Sequence, residues 1–224
     1  MQIDFHSHIL PHCDHGSRSL NTSLKQVEMA REAGVDLICA TPHFYPHRDR
    51  LEDFLARRAE TAQRLKGALE GVEHPEILVG SEVLLCERLD ALEGVEQLCL
   101  EGTNIILLEL PYNTVSDEAV ETVRRFHESG RFKVVLAHID RYDKSVIEKF
   151  LPMGVSAQIN VETLSKTFAP SHVKTWVKEE DVVAWGSDIH GTDIGYKRWL
   201  KVKKRMGSQW DVIMERTEKL IKGQ

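Results

Sequence analysis

The segment Asn104-Ile105-Ile106-Leu107-Leu108-Glu109 is an unbroken apolar run that ends on a carboxylate. Uninterrupted runs of this kind are typical of strands that are buried on both faces of a parallel sheet. Lys133-Val134-Val135-Leu136-Ala137 has the same character and is followed at once by His138. We therefore expect a parallel sheet whose strand ends carry side chains that bind metals.

Strands of this kind alternate with helical segments along the whole chain of 224 residues. The apolar runs predict strands at about 2–6, 35–41, 76–84, 104–110, 132–138, 155–160 and 182–187. Helices are predicted at about 19–33, 50–71, 116–129, 142–151, 171–178, 195–206 and 208–221. This strict alternation favours one α/β domain over residues 1–224, folded as a closed or distorted (β/α)7 barrel. An open doubly wound sheet remains the alternative, although no GxGxxG or GxxxxGK loop follows the first strand.

Side chains that bind metals well follow six of the predicted strands. They are His6, His8, His15, His43, Glu82, Glu109, His138, Asp188 and His190. In β/α barrels the carboxyl ends of the strands converge on one active site. A set of imidazoles and carboxylates without a thiolate suits zinc, manganese or iron rather than a structural cysteine-type zinc site. The sequence therefore predicts a site for two to three divalent ions at the mouth of the barrel.

Two pairs of these residues share a spacing that strengthens the prediction. His6-Ser7-His8 closes the first strand, and side chains two apart on an extended backbone point the same way. Asp188-Ile189-His190 repeats this spacing after the last strand, so the two pairs would face each other in a barrel. A lone strand-end histidine such as His43 is more often a packing residue. The metal interpretation therefore rests on the whole set.

The composition narrows the classes of protein that fit. A chain with 42% hydrophobic and 29% charged residues suits a soluble domain with a sizeable core. Its net charge of −6 argues against nucleic-acid binding. The four cysteines contain no CxxC pair, which favours reduced thiols. The Cys-x5-Arg loop of cysteine-dependent phosphatases is also absent.

The chain begins Met-Gln-Ile-Asp-Phe-His, without the basic start and apolar run of a signal peptide. No apolar stretch approaches the roughly 18–20 residues that a membrane helix requires. We therefore expect a cytoplasmic protein without membrane insertion.

Six short motifs, in order along almost the whole chain, resemble those of a known superfamily. They are Asp4-Phe5-His6-Ser7-His8-Ile9-Leu10-Pro11 through Asp14-His15-Gly16, Ala40-Thr41-Pro42-His43, Gly80-Ser81-Glu82-Val83, Leu107-Leu108-Glu109-Leu110, Ala137-His138-Ile139-Asp140-Arg141-Tyr142 and Gly186-Ser187-Asp188-Ile189-His190. The chain thus resembles the polymerase and histidinol phosphatase (PHP) superfamily, whose members have distorted (β/α)7 TIM-like barrels with three metals. Within it, the likeness is closest to the manganese-dependent bacterial protein-tyrosine phosphatases of capsule and exopolysaccharide loci.

The resemblance implies a role for each matched residue. In the implied arrangement, the first metal is held by His6, His8, Glu82 and Asp188. Glu82 also bridges to the second metal, whose site is completed by Glu109 and His138. The third metal is held by His15, His43 and His190. Arg141 matches an arginine used on the substrate phosphate, and a guanidinium suits bidentate phosphate binding. A second family arginine has no clear counterpart, and Lys197 and Arg198 are the candidates to replace it.

The implied function is a metal-dependent phosphomonoesterase that works by direct attack of a metal-bound hydroxide. Its expected substrate is the phosphotyrosine-bearing tail of a bacterial tyrosine kinase, and manganese is the preferred ion, with iron or zinc admissible. The chain departs from the tyrosine-phosphatase group at Asp14-His15-Gly16, where that group usually has Asp-Asp-Gly. The alternatives are a histidinol-phosphatase-like small-molecule phosphatase, an amidohydrolase-type C–N hydrolase and a non-catalytic, metal-stabilised binding module.

A further expectation concerns the mouth of the site. Phe44, Tyr45, His47 and Arg48 follow His43 and could edge a shallow opening that accepts a tyrosine. The competing interpretation is that these four residues only begin the long second helix.

Overall fold

Short parallel strands alternate with helices along the chain. The computed structural model describes residues 1–112, 114–192 and 194–223. Its strands are β1 (Ile3–Ser7), β2 (Leu37–Ala40), β3 (His43–Phe44), β4 (Glu76–Val79), β5 (Glu82–Leu84), β6 (Ile105–Glu109), β7 (Lys133–Leu136), β8 (Ser156–Asn160) and β9 (Val182–Gly186). Its helices are α1 (Leu20–Glu32), α2 (Leu51–Ala68), α3 (Asp117–Glu128), α4 (Lys144–Ile147), α5 (Val161–Ser165), α6 (Ser171–Trp176), α7 (Gly195–Met206) and α8 (Ser208–Lys222).

The strands form two sheets that belong to one curved layer. One sheet has the order β1-β2-β4 and the other β3-β5-β6-β7-β8-β9. The predicted strand 35–41 is interrupted at Thr41-Pro42 and resumes as β3, and the predicted strand 76–84 is interrupted at Gly80-Ser81 and resumes as β5. The pairing continues across both breaks, because β2 pairs with β4 and β3 pairs with β5. The seven predicted strands are therefore present, two of them in two pieces.

The first and last strands meet beside the site. Beyond the end of β9, Asp188 N donates to His6 O (2.8 Å) and His8 N donates to Ile189 O (3.3 Å). Below them, the buried Asp4 carboxylate accepts from Ser187 N (2.8 Å). No regular ladder joins β1 to β9 among the described residues. The α/β class and the distorted (β/α)7 barrel are confirmed, with a seam in place of an evenly closed sheet.

Three tryptophans pack the layer between β9 and the last two helices. This tryptophan cluster consists of Trp185 on β9, Trp199 on α7 and Trp210 on α8, all fully buried. Trp185 and Trp210 stack at 5.2 Å between ring centroids, and Trp199 meets Trp210 edge-on at 4.7 Å. Large rings packed in this way contribute heavily to core stability. The cluster anchors β9 next to its carboxyl end, and the site residues Asp188 and His190 follow that end directly.

Gly186 follows Trp185 on β9 and faces the site instead of the helices. Gly186 lies so close to the site that an added Cβ would fall 2.8 Å from His6 Cβ and 2.3 Å from Gln158 Nε2. Only glycine fits there, because real Cβ atoms are not found at such distances.

The helices differ from the sequence prediction mainly between residues 85 and 165. The predicted helix 142–151 shrinks to α4, because Lys149 N and Phe150 N already donate to carbonyls only three residues back, and a 3-10 turn follows at Leu151–Met153. The short helix α5 was not predicted. Among the described residues, no helix has the length and apolarity needed to cross a bilayer.

Candidate metal centre

The carboxyl ends of the strands bring the predicted ligands together. Seven of them are buried with at most 9% of their surface exposed: His6, His8, His43, Glu82, Glu109, His138 and Asp188. Each lies at or just beyond the end of a strand of the parallel layer, or starts the piece that follows a break in it. His15 and His190 lie further out, and both are exposed. The arrangement is a polar bowl at one end of the barrel.

Glu82 occupies the centre of this bowl. Its Oε2 lies 2.9 Å from His43 Nδ1, 3.2 Å from His6 Nε2 and 3.3 Å from His8 Nε2. Its Oε1 lies 2.6 Å from His138 Nε2. Within the described residues, neither Glu82 Oε2 nor His43 Nδ1 has a partner in hydrogen-bonding geometry, although both are buried. Glu82 Oε2 is thus buried among imidazole nitrogens without a hydrogen bond to any of them. A bound cation would satisfy this oxygen.

The spacing of these donor atoms fits a divalent ion. Two ligand atoms each about 2.1 Å from one ion, at angles of about 90–109°, lie roughly 3.0–3.5 Å apart. The distances from Glu82 Oε2 to its imidazole nitrogens fall in or near this range. Four overlapping groups of donors come within 4.8 Å: His6/His8/Glu82, His6/His138/Asp188, His43/Glu82/Glu109 and His8/His43/His190. The residues therefore fit binding of divalent metal, and His6, His8, His43 and Glu82 each belong to two of the groups.

The outer side of the bowl is built from stacked rings. This imidazole cluster consists of His8, His15, His43 and His190. Ring centroids lie 4.0 Å apart for His8 and His190, and 4.8 Å apart for His15 and His43, which are nearly parallel. Among the described residues, His15 joins none of the four donor groups. The assignment of His15, His43 and His190 to a third metal therefore stays a prediction.

Asp14 orients two of the ligands, a role that the sequence analysis missed. Its Oδ2 accepts from His8 Nδ1 (2.7 Å) and from His43 N (3.0 Å), and its Oδ1 accepts from Gly16 N (2.9 Å). Although burial opposes ionisation, these donors, His8 first, hold the pKa of the Asp14 carboxyl below its ordinary value. A carboxylate on the outer ring nitrogen fixes the tautomer and turns the other nitrogen toward the metal site. The sequence feature that could have revealed this role is that Asp14 directly precedes the predicted ligand His15.

Two amides on β8 support the opposite side of the bowl and were also missed. Gln158 Oε1 accepts from His138 N (2.7 Å) and lies 3.2 Å from His6 Nδ1. Asn160 Nδ2 donates to Asp188 Oδ2 (2.9 Å). The signal was the alternation Gln158-Ile159-Asn160 in a buried strand, which puts both amides on one face.

The backbone is strained at two ligands. His138 has φ 32° and Asp188 has φ 48°, in the left-handed region that residues with a Cβ seldom adopt. Such conformations cost about 1–3 kcal/mol each and cluster at functional sites. Each follows the end of a strand, where the turn aims the side chain into the bowl.

The charges of the bowl are arranged for cations and for a phosphate beside them. Burial and the neighbouring Glu82 carboxylate raise the pKa of Glu109 to about 7. A divalent ion would remove this penalty, because bound ions dominate local electrostatics. Arg141, with a third of its side chain exposed, donates from Nη2 to Asp188 Oδ2. A guanidinium thus lies at the edge of the donor set and is partly open to solvent.

The other predicted substrate contacts have different surroundings. Arg198 Nη1 lies 3.2 Å from Glu162 Oε2, so its charge is already paired. Lys197 is exposed. Their contact with a substrate phosphate stays a prediction.

The prediction that the residues after His43 edge the mouth of the site is partly correct. Tyr45 stacks on His43 with ring centroids 5.0 Å apart, and the Arg48 guanidinium lies 5.5 Å from the Tyr45 ring. Phe44 is 1% exposed and packs on Phe54, so its place at the mouth was wrong. Alternation along β3 explains this, since His43 faces the bowl and Phe44 faces the helix layer. The competing interpretation was wrong as well, because α2 begins only at Leu51.

With this fold and donor set established, the family follows from comparison with known proteins. Residues 2–213 match the family described as "Capsular polysaccharide synthesis, CpsB/CapC". The chain belongs to this family. The resemblance inferred from the six motifs is thereby confirmed.

Individual relatives agree with the family assignment. The chain is 28% identical over 212 residues to the tyrosine-protein phosphatase CpsB of Streptococcus agalactiae, covering 86% of this chain and 84% of the relative. It shares its fold with a solved structure from work on YwqE of Bacillus subtilis and CpsB of Streptococcus pneumoniae, described as metal-dependent tyrosine phosphatases (TM-score 0.84, 23% identity, 100% and 95% coverage). A histidinol phosphate phosphatase from Lactococcus lactis is a more distant structural neighbour (TM-score 0.57, 14% identity, 92% and 94% coverage).

Proposed function

We propose that the chain is a metal-dependent phosphomonoesterase that hydrolyses phosphotyrosine in proteins. The observation that carries this proposal is the Glu82 carboxylate, ringed by His6, His8, His43 and His138, with Arg141 at the edge of the same bowl. Such a site can hold cations and a phosphate side by side. The tyrosine-protein phosphatase named among the relatives supports the same activity.

The chain's own residues have distinct tasks in this proposal. His6, His8, Glu82 and Asp188 would hold one ion, Glu109 and His138 would complete a second with Glu82, and His15, His43 and His190 would hold a third. When bound, the ions would neutralise phosphoryl charge and acidify a water molecule. We propose manganese as the native ion, although the nitrogen and oxygen donors also admit iron or zinc.

Arg141 would bind the non-bridging phosphate oxygens. Its guanidinium is held by Asp188, so its position is fixed before the substrate arrives. Planar donors held in this way bind phosphate through paired, charge-assisted hydrogen bonds. Lys197 or Arg198 would add a second cationic contact, with Arg198 first having to leave Glu162.

The thiols do not offer a nucleophile. Burial raises the pKa of Cys13 and Cys39, and raises that of Cys99 to about 11. A thiol is a good nucleophile only as the thiolate, so these groups are inert near neutral pH. Hydrolysis by water, without a phosphocysteine, is the consistent mechanism.

The leaving group explains a preference for phosphotyrosine. A tyrosine phenol has a pKa near 10, well below that of a serine alcohol, so its departure needs little proton donation. Tyr45, packed on His43, offers an aromatic surface at the mouth. The proposed substrate is the phosphotyrosine-bearing tail of a bacterial capsule or exopolysaccharide tyrosine kinase, met in the cytoplasm.

The proposal is tested with a panel of phosphoesters. Metal-loaded protein is assayed on phosphotyrosyl peptide, phosphoseryl peptide and histidinol phosphate, before and after treatment with a chelator. We expect the phosphotyrosyl peptide to be hydrolysed fastest, and the chelator to abolish all activity. Readdition of manganese should restore it.

Two results would overturn the proposal in different ways. Faster hydrolysis of histidinol phosphate would replace the protein-phosphatase assignment with a small-molecule phosphatase. Metal-loaded protein without activity on any ester would leave a metal-stabilised binding module.

A further inference from the structure

Helix α7 concentrates positive charge on a chain that is negative overall. Its sequence, Gly195–Met206, contains six basic residues and no acidic one, whereas the whole chain carries a net charge of −6. Tyr196, Trp199 and Val202 bury the inner face of the helix. The outer face is therefore a basic surface on a firmly anchored helix.

Three lysines form the centre of this surface. At about 100° per residue, Lys197, Lys201 and Lys204 fall within one narrow sector on the side opposite the buried residues. All three are exposed. In the described part of the chain, the ion pair that α7 makes is the one between Arg198 and Glu162. The three ammonium groups have no carboxylate partner within residues 1–112, 114–192 and 194–223, and we call them the lysine stripe.

Exposed apolar side chains flank the lysine stripe on both sides. On one side lies Leu200, which is 49% exposed. On the other side Arg205 Nη1 donates to Leu164 O (2.9 Å) and Lys166 O (3.0 Å), which ties α7 to the segment after α5. Two residues further on, Phe168 is 92% exposed. A cluster of lysines with exposed apolar side chains nearby is suited to a surface that meets anionic headgroups.

We propose that this surface binds anionic lipid headgroups at the face of a membrane. The lysine stripe would lie among the headgroups, and Phe168 and Leu200 would enter the boundary with the acyl chains. Such a helix lies on a bilayer and does not span it. The proposal does not depend on the phosphatase activity.

The choice of residues favours lipid over an acidic protein partner. Arginine suits directional pairing with a single carboxylate, whereas lysine is a mobile, hydrated point charge. Both arginines of α7 are already engaged, Arg198 by Glu162 and Arg205 by backbone carbonyls. The free charges are all lysines, which suits a diffuse layer of anionic headgroups. Because α7 follows Asp188–His190 closely in sequence, binding would hold the metal centre near the membrane.

The test is co-sedimentation with vesicles of phosphatidylcholine, with and without phosphatidylglycerol, at low and high salt. The test variant carries Lys201→Glu with Lys204→Glu. The matched control carries Lys149→Glu with Lys219→Glu, two exposed lysines elsewhere, so the net charge changes equally. A third variant, Phe168→Ser, removes one apolar flank.

The wild-type protein should sediment with phosphatidylglycerol vesicles and not with pure phosphatidylcholine. At about 1 kcal/mol for each basic residue near an anionic surface, the test variant should lose about tenfold or more in partition. The control pair should change partition by less than about twofold, and Phe168→Ser by an intermediate factor. Circular dichroism and hydrolysis of a soluble phosphoester confirm that each variant is folded, and Lys201→Gln with Lys204→Gln provides a milder version if needed.

Three outcomes would overturn the proposal. Equal binding to neutral vesicles would remove the role of charge. An equal loss in the control pair would show that net charge acts without any localised surface. Binding of polyglutamate through Lys201 and Lys204, without binding to vesicles, would assign the surface to an acidic protein partner.

Discussion

The tryptophan cluster lies on the helix side of β9, whereas the imidazole cluster lies beyond the carboxyl end of the same strand, and both are built from rings packed at similar distances. Ring centroids lie 4.7 and 5.2 Å apart in the tryptophan cluster. In the imidazole cluster they lie 4.0–4.8 Å apart for the stacked pairs. The same spacing arises from different forces, because the tryptophan rings are enclosed in the apolar core, whereas the imidazoles surround a buried carboxylate.

The tryptophan cluster is stabilised by its own burial. Its rings are fully enclosed, and Trp210 Nε1 donates to Gln2 Oε1 at 2.8 Å. The imidazole cluster surrounds Glu82, whose Oε2 has no hydrogen bond within the described residues. The helix side of the strand thus contributes stability, and the segment beyond its carboxyl end holds polar atoms in place for a cation. Substitutions should separate these two contributions.

The largest effect is expected from Glu82→Gln, which removes the central charge and keeps the volume. We expect metal content to fall to a small fraction of the wild-type level, and hydrolysis to fall by about 1,000-fold or more, because the metal-based chemistry is lost. Thermal unfolding should remain cooperative. Elemental analysis and the phosphotyrosyl-peptide assay measure both effects. The control is Glu121→Gln on the exposed face of α3, and wild-type metal content in Glu82→Gln would contradict the central role of this carboxylate.

Trp210→Ala tests the other cluster. Removing a fully buried tryptophan should lower the free energy of unfolding by about 3–5 kcal/mol, a large part of the total for a domain of this size. The fraction that remains folded should still bind metal with wild-type stoichiometry. Urea unfolding, with and without metal, measures the free energy of unfolding, and elemental analysis measures the metal stoichiometry. Val212→Ala on the same helix should change stability by less than about 0.5 kcal/mol.

Arg141→Ala should sharpen the contrast by affecting catalysis more than metal binding. Loss of one or two charge-assisted phosphate contacts should reduce hydrolysis of phosphotyrosyl peptide by roughly 10–1,000-fold. Unfolding should stay near wild type, and metal affinity should fall no more than in Asp14→Asn, because Arg141 is not a ligand and contacts the ligand Asp188 through one hydrogen bond. Arg124→Ala on α3 is the matched control. An unchanged kcat/KM would remove Arg141 from the substrate site.

The smallest effect is expected from Asp14→Asn, which disturbs ligand orientation without removing a ligand. The amide cannot accept from His8 Nδ1 and His43 N with the charge of a carboxylate. Supporting residues of this kind typically contribute 10–100-fold to metal affinity. Competition with a chromogenic chelator measures the change, and Asp211→Asn is the control. Equal affinities in wild type and Asp14→Asn would make Asp14 a loop residue only.

The sequence was most informative where one local pattern decides the outcome. The apolar runs of β6 and β7 predict their strands to within about two residues, because burial on both faces leaves little freedom in composition. The spacing His6-Ser7-His8 places both rings in one bowl, since alternation along a strand is a local property.

The sequence was least informative where the partner lies far along the chain. Asp14 is 29 residues from His43 N, and Gln158 is 152 residues from His6. Neither contact leaves a pattern in its own neighbourhood beyond a polar residue in a suitable place. The prediction that Phe44 lies at the mouth was wrong for a related reason. The direction of its side chain depends on the break in the strand at Pro42, after which β3 begins.

The left-handed backbone at His138 and Asp188 has a consequence for how such a protein evolves. Glycine at either position would relax the main chain and delete a metal ligand in the same step. Each deletion would also leave buried polar atoms without a partner: Glu82 Oε1 would lose His138 Nε2, and Asn160 Nδ2 would lose Asp188 Oδ2. That loss costs about 1–3 kcal/mol or more and offsets the relieved strain. A laboratory selection for survival at high temperature should therefore retain histidine and aspartate at these two codons, as selection on hydrolysis should.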